Sequence, residues 1–243
     1  MNNQIGVLLE KLDRDLGPGS PSDREILQVF FKPLPGENVR FRGIRAPQLK
    51  KIAQALYPAV KKWPIANRDQ LCEELWRWGD FEGGAIVCYL YRRFQKQCGP
   101  REFRLFTRWL DKYVDNWGHT DGLSLWLLGA SIENHPELIK ELLPWTRAKK
   151  RWKRRASAVS MVYSAKRGEH NKEIFLIAEP LLADPDDMVQ KGVGWLLKET
   201  YPRKPREVMR FLMPRRHSIP RLVLRYAAEK MSAEDKTRLL RSK

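Results

Sequence analysis

Asp121 follows Trp117 by four residues in the stretch Asp115-Asn116-Trp117-Gly118-His119-Thr120-Asp121. On a helix that spacing puts the carboxylate and the indole on one face. A carboxylate in such a place can stabilise a forming positive charge or accept a proton from water. It can also be a plain helix-start residue, because the macrodipole favours acids in a first turn by about 0.3–1 kcal/mol. Asp115 offers the same service to this helix, which leaves Asp121 less needed for it. Around this single acid lies a chain of formal net charge +17, and phosphate binding alone does not call for a carboxylate beside a tryptophan.

Two further segments hold residues of chemical interest. Arg147 to Arg155 carries seven basic residues in nine, among them Arg151, Arg154 and Arg155. On a helix, Trp152, Ala156, Val159 and Tyr163 form an apolar stripe, and the three arginines share a neighbouring face. A solvated face is the ordinary explanation of a charge run. Seven like charges repel, however, and a polyanion would relieve them while releasing its own counterions. In the segment from Asp187 to Tyr201, Val189, Val193, Leu196 and Leu197 make the core stripe. Trp195 falls on the opposite side with Lys191 and Lys198. A packed tryptophan is the simple reading. Gly192 and Gly194 beside it, each costing about 1 kcal/mol in a helix relative to alanine, suggest a surface that something approaches closely.

The elements that must position these residues are helical throughout. Apolar residues recur at three- and four-residue steps from Gln4 to Leu16, Asp23 to Phe31, Pro47 to Tyr57, Asp69 to Trp76, Gly84 to Gln95 and Phe103 to Tyr113. They continue from Leu123 to Ile132, Pro136 to Trp145, Trp152 to Tyr163, Lys172 to Leu182, Asp187 to Tyr201, Pro205 to Leu212, Pro220 to Lys230 and Glu234 to Leu240. No segment alternates with period two. Lys32 to Asn38 is the longest irregular stretch and is expected to be a surface loop. Roughly one helix pair per 35 to 40 residues is the spacing of HEAT-like solenoids. The expected fold is therefore all-α, an α-α superhelix of HEAT-like helical repeats with a concave basic groove, in one domain spanning residues 1–243.

Composition narrows the partners. With 46 Lys and Arg against 29 Asp and Glu and 42% apolar residues, the chain is a folded protein suited to nucleic acid. No apolar run approaches the ~18 residues of a membrane span, so no membrane partner is expected. The start Met1-Asn2-Asn3-Gln4 lacks the regions of a signal peptide, and a cytoplasmic protein is expected. Cys72, Cys88 and Cys98 show no CxxC spacing and are expected to be reduced, mostly buried thiols. The four histidines are scattered. No metal and no other cofactor is expected.

From about Arg42 to Tyr201 the chain resembles the AlkD-type DNA alkylation repair glycosylases, which are built from HEAT-like repeats. Gly43-Ile44-Arg45-Ala46-Pro47 looks like that family's Gly-Ile-x-x-Pro helix entry, and Glu74-Leu75-Trp76 like its Glu-Leu-Trp. Trp117 and Asp121 match its catalytic Trp and Asp. Trp152 to Ala156 matches the segment whose Arg lines the site. Gln190 to Glu199 is close to the specific signature Gln-Lys-x-x-Gly-Trp-x-Leu-Arg-Glu. Gly118 stands where some members carry an acid, and Asn116 where an aromatic is common.

The resemblance implies a monofunctional glycosylase acting on cationic N3- or N7-alkylpurines in duplex DNA, with Asp121 stabilising an oxocarbenium-like transition state and orienting water. It implies that Trp117 and Trp195 press on the lesion nucleotide and that Arg155 pairs with phosphate. Arg45, Arg151, Arg154, Lys191 and Lys198 are the expected DNA-backbone contacts. The lesion is expected to stay stacked, the protein to act as a monomer, and no Schiff-base lyase step to follow. The rival reading is a non-catalytic helical-repeat protein that binds DNA or structured RNA through the same cations and has no use for Asp121. A helical protein-interaction scaffold is the third, and for it a charge of +17 has no purpose.

Overall fold

The computed structural model describes residues 3–31, 37 and 39–241. The loop expected at 32–38 lies, apart from Glu37, outside the described residues. Every element among the described residues is helical, apart from one isolated bridge that pairs Arg40 with Asp80. The all-α helical-repeat fold expected from the periodicity is the fold observed. No described helix is long and apolar enough to cross a membrane.

The chain divides into two compact units. The first comprises Met1–Gln97 and Arg108–Gly122. It holds helices α1 (Asn3–Leu16), α2 (Pro21–Phe31), α3 (Ala46–Val60), α4 (Ile65–Arg77) and α5 (Phe81–Tyr91), then a 3-10 segment, Arg92–Gln97. To these it adds the end of α6 (Pro100–Lys112) and most of α7 (Trp117–Leu123). Helix α5 packs against both α3 and α4, and nearly every one of its residues is buried. A helix covered on all sides has no polar stripe to reveal its ends. The apolar steps therefore place its start at Gly84, three residues after the true one. Asp80 caps that start, accepting from the Gly83 amide at 2.8 Å.

Within α5, Glu82 is fully buried and accepts the backbone N–H groups of Arg42, Gly43 and Ile44 at 3.0, 3.0 and 3.1 Å. Three donors converging on one carboxylate fix the chain where it enters α3. Gly43 sits there at φ 92°, with the Ser20 carbonyl only 2.2 Å from where a Cβ would stand. The Gly-Ile-x-x-Pro entry is thus a backbone device held by a buried acid.

The second unit comprises Cys98–Thr107 and Leu123–Lys243. Its helices are α8 (Gly129–Asn134), α9 (Arg151–Val159), α10 (Val162–Arg167), α11 (Asn171–Leu181), α12 (Asp187–Thr200), α13 (Pro205–Leu212), α14 (Arg221–Ala227) and α15 (Ala233–Leu240). Helix α12 is central and touches α9, α10, α11 and α14. Its stripe of Val189, Val193, Leu196 and Leu197 is fully buried, as its spacing implies. Two expected helices differ in detail. Pro136 to Trp145 is a pair of 3-10 segments, Pro136–Leu142 and Pro144–Arg147, because Pro144 lacks the amide that would continue the first. Trp152 to Tyr163 breaks at Ser160 and Met161 into α9 and α10.

Cys72, Cys88 and Cys98 are all buried free thiols. Burial pushes the Cys88 thiol up to about 12 and raises Cys72 as well, so both stay protonated.

Candidate active site

In the first unit the decisive element is the start of α7. The periodicity places this helix at Leu123, yet it begins at Trp117. Gly118, Thr120 and Gly122 are weak helix formers, and what starts the helix is a cap. Asn116 is buried, and its Oδ1 accepts the His119 amide at 2.8 Å while its carbonyl accepts the Thr120 amide at 3.1 Å. Asn116 thus does the capping that was expected of Asp115. Asp121 is the fifth residue of α7, and no acid lies in that helix's first turn. The dipole acts within the first turn, so the helix-start reading of Asp121 loses its main support. Asp121 stays half-buried, one turn after the half-buried Trp117.

The capping amide does a second job. Asn116 Nδ2 lies 2.9 Å from His119 Nδ1, and His119 Nε2 lies 2.8 Å from the Phe81 carbonyl. An amide donor on one ring nitrogen and a carbonyl acceptor at the other assign a neutral imidazole with its proton on Nε2. Burial lowers the His119 pKa, with the Phe81 hydrogen bond opposing it, which agrees with that form. The imidazole stacks on the Phe81 ring, centroids 4.9 Å apart and planes at 4°.

Trp117 rests on an aromatic shelf. Its indole stacks on Phe31 at 4.6 Å and 14°, and Phe30 meets it edge-on at 5.4 Å. Phe31 in turn contacts Phe41 and Phe81. Gly118 is what admits this packing. A Cβ there would stand 2.9 Å from ring atoms of both Phe31 and Phe81. An acidic side chain at this position would meet the same rings. Arg45, also in this unit, is largely exposed and grips Asp23, with contacts of 2.8 to 3.1 Å. That hydrogen-bonded pairing raises the Arg45 pKa and lowers that of Asp23.

In the second unit the three arginines of α9 converge on the segment that starts α12. Arg151 Nη1 donates to Asp186 at 3.0 Å, and its guanidinium lies 4.2 Å from the Trp152 ring centroid. Arg154 forks onto Asp184 at 2.6 and 3.1 Å and also donates to the carbonyls of Ala148 and Lys149. Arg155 is 6% exposed and donates to the Met188 carbonyl. Much of the charge run is therefore compensated inside the unit, while Arg147 and Lys149 remain on the surface.

Trp195 is half-buried and donates through Nε1 to Glu199 at 3.3 Å. Glu199, itself buried, also holds Lys230 at 2.5 Å. The two glycines admit protein. A Cβ on Gly192 would press on Arg155 at 3.1 Å, and one on Gly194 would lie 2.5 Å from Tyr226 Cβ on α14. Lys191 pairs with Asp187 at 2.9 Å and Lys198 with Glu229 at 2.7 Å.

Sequence reasoning missed Glu82, Asn116, His119 and Glu199. Asn116 was legible in principle, since asparagine directly before a helix is among the strongest caps. The others depend on partners distant in the chain: the Arg42–Ile44 backbone for Glu82, the Phe81 carbonyl for His119 and Lys230 for Glu199. Among the described residues, no three His, Cys, Asp or Glu side chains gather so as to hold a metal ion.

Helical repeats, a tryptophan–carboxylate pair on a capped helix and a strong positive charge together define a helical-repeat protein suited to nucleic acid. A family model described as DNA alkylation repair enzyme matches residues 16–231, and the chain belongs to that family. A solved structure described as a predicted DNA alkylation repair enzyme from Enterococcus faecalis matches with a TM-score of 0.74, over 88% of this chain and 97% of that one. At 16% identity that likeness shows the fold. No curated protein matches the sequence.

Proposed function

We propose that this DNA alkylation repair protein is a monofunctional glycosylase that hydrolyses the N-glycosidic bond of cationic N3- or N7-alkylpurines in duplex DNA. The observation that carries this reading is the placement of Trp117 and Asp121 one turn apart on α7, with the acid beyond the first turn. An alkylated purine already carries a positive charge. When the C1′–N bond breaks, its electron pair returns to the ring and neutralises that charge, so the leaving group needs no proton. One carboxylate then suffices, in contrast to the acid and nucleophile pair of most sugar glycosidases.

Asp121 stabilises the cationic C1′ and orients the water whose oxygen bonds to it; the proton lost from that water passes to Asp121 or to solvent. An effect of about 3 kcal/mol, near a hundredfold in rate, is what one such group supplies in a desolvated site. Trp117, backed by Phe31, offers an electron-rich face to the sugar. In the second unit Trp195, steadied by Glu199, offers another face to DNA. Arg45, Lys191 and Lys198 are held by carboxylates in poses from which they can contact phosphates, contacts that position a duplex without reading its sequence. Arg151, Arg154 and Arg155 serve by fixing the start of α12, the helix that carries Trp195. The family relationship supports a repair role on DNA.

The test is incubation of the protein with a duplex bearing one 7-methylguanine, followed by chromatography of the released base. Free 7-methylguanine with an intact but alkali-labile strand is the expected result. Tight binding with no released base sinks the glycosylase reading in favour of a binding module.

A further inference from the structure

Asn116 fixes both of the residues that lead into Asp121. Its Oδ1 accepts the His119 amide at 2.8 Å, and its carbonyl accepts the Thr120 amide at 3.1 Å and the Thr120 hydroxyl at 2.7 Å. All three residues are buried. The His119 ring then ties the same turn sideways to α5, through Nε2 and the Phe81 carbonyl at 2.8 Å and through its stack on the Phe81 ring. The Trp76 ring closes on the imidazole at 5.0 Å and 89°, and a Cβ on Gly84 would lie only 2.5 Å from Nε2. A ring enclosed in this way cannot swing aside. Trp117 and Asp121 stand at the two ends of the turn that these bonds hold.

The arrangement admits one ring proton and not two. Asn116 Nδ2 lies 2.9 Å from His119 Nδ1 and 3.1 Å from Asp115 Oδ1. A protonated imidazole carries N–H on both nitrogens, so Nδ1–H would meet an amide N–H head on. Turning the amide over would bring its oxygen to Nδ1, but its nitrogen would then face the His119 amide and its oxygen would face Asp115. Either way the cap or the ring contact is lost. Burial lowers the His119 pKa, against the Phe81 hydrogen bond and the charges of Asp115 and Asp80. Asp80 is itself held by Arg42 at 2.6 Å, and Glu82 on the same helix is taken up by the Arg42, Gly43 and Ile44 amides.

We propose that Asn116 and the neutral His119 are positioning residues for base release: together they hold Trp117 and Asp121 in register, and a proton on His119 lets that register go. The proposal rests on Asp121 acting in base release, but the hold on the α7 turn can be read without any reaction. Asn116→Asp reverses its sign. Aspartate caps a helix as well as asparagine does. Its carboxylate accepts from the His119 amide and also from a protonated Nδ1, so it holds the turn with the ring charged and repels the lone pair of the neutral ring.

In the test, single-turnover release of 7-methylguanine is followed between pH 8 and 5, corrected for loss from the duplex alone, beside ring nitrogen NMR spectra of His119. At pH 8 the wild-type spectra should show a proton on Nε2 and none on Nδ1. Wild-type release should hold while the ring stays neutral and fall by about tenfold as it protonates. In Asn116→Asp, His119 should titrate at higher pH than in wild type, and release should rise as pH falls through that titration. Duplex affinity should stay within about twofold of wild type at each pH. A purely structural cap would leave the variant with the wild-type pH profile, and that result overturns the proposal. Hydrogen exchange gives the reading that needs no reaction. Protection of the Thr120 and Asp121 amides should drop severalfold as His119 protonates in wild type and rise as it protonates in Asn116→Asp. Protection that ignores the ring titration in the variant overturns the proposal. Protection that follows the ring in a protein that releases no base removes the glycosylase reading and leaves the hold on α7 standing. Released base with a profile indifferent to His119 in the variant does the reverse.

Discussion

Replacing Gly118 by alanine sets two effects of known size against each other. Alanine is the better helix former by about 1 kcal/mol, so propensity alone forecasts a more stable protein. The new Cβ, however, would lie 2.9 Å from Phe31 Cε1, 2.9 Å from Phe81 Cε2 and 3.0 Å from Phe31 Cζ. Carbon atoms pack best at about 3.5–4.0 Å, so both rings must retreat by roughly 0.6 Å. Both rings are already packed against neighbours. Phe31 is buried between Trp117 at 4.6 Å and Phe41 at 5.0 Å, and Phe81 is stacked on His119. Overpacking of this kind costs about 1–3 kcal/mol and outweighs the gain in propensity. We expect Gly118→Ala to lose about 1 kcal/mol in urea unfolding. Because Trp117 lies face to face on Phe31, the shift passes to the indole. Misplacement by 1 Å can cost about a hundredfold, so a smaller shift should slow single-turnover release of 7-methylguanine by about tenfold. A variant as stable and as fast as wild type would refute the role given to Gly118 and to the aromatic shelf.

Other perturbations follow from the same geometry. Gly194→Ala forces α12 and α14 apart, since its Cβ would meet Tyr226 Cβ at 2.5 Å and the Val223 carbonyl at 3.1 Å. It should cost about 2 kcal/mol in denaturant unfolding, and a neutral result would show that the helices separate freely. Arg154→Met strands the buried carboxylate of Asp184 and should lower stability by about 3 kcal/mol while leaving the salt dependence of DNA binding unchanged. A stable variant with a shallower salt slope would make Arg154 a phosphate contact instead. His119 has its pKa lowered by burial, so the folded state binds fewer protons than the unfolded chain between that lowered value and about 6.5. Stability is then full above pH ~6.5 and falls as pH drops below it, by at most about 1.4 kcal/mol per unit. His119→Gln should flatten that slope in urea titrations between pH 8 and 5, and an equally steep slope in the variant would exclude His119 as its source.

Much of this architecture is written in residue spacing. The α12 stripe and its half-buried tryptophan read directly, because the helix, though contacted by four others, keeps Asp187, Lys191, Trp195 and Lys198 off its buried face. Helix α5 does not, because burial all round erases the period that marks its ends. The start of α7 was hidden for another reason. It depends on a single cap, Asn116, ahead of a glycine-rich turn with poor propensity, so the apolar period begins six residues late. The candidate residues Trp117 and Asp121 were visible by type and spacing, but their support was not. Glu82 holds backbone some forty residues away in the chain, and the Asn116–His119–Phe81 relay joins α7 to α5 through a backbone carbonyl. The internal partners of the arginine run were not legible, since nothing in the order of residues shows that Asp184 and Asp186 fold back to meet it.

The most direct test of the central claim is single-turnover excision of 7-methylguanine by Asp121→Asn beside its affinity for the same duplex. Asparagine keeps the shape and removes the charge. If Asp121 stabilises the cationic sugar, base release falls by about a hundredfold or more while duplex affinity stays within about twofold. Release at the wild-type rate by the asparagine variant would contradict the account and return Asp121 to the role of an ordinary helix carboxylate.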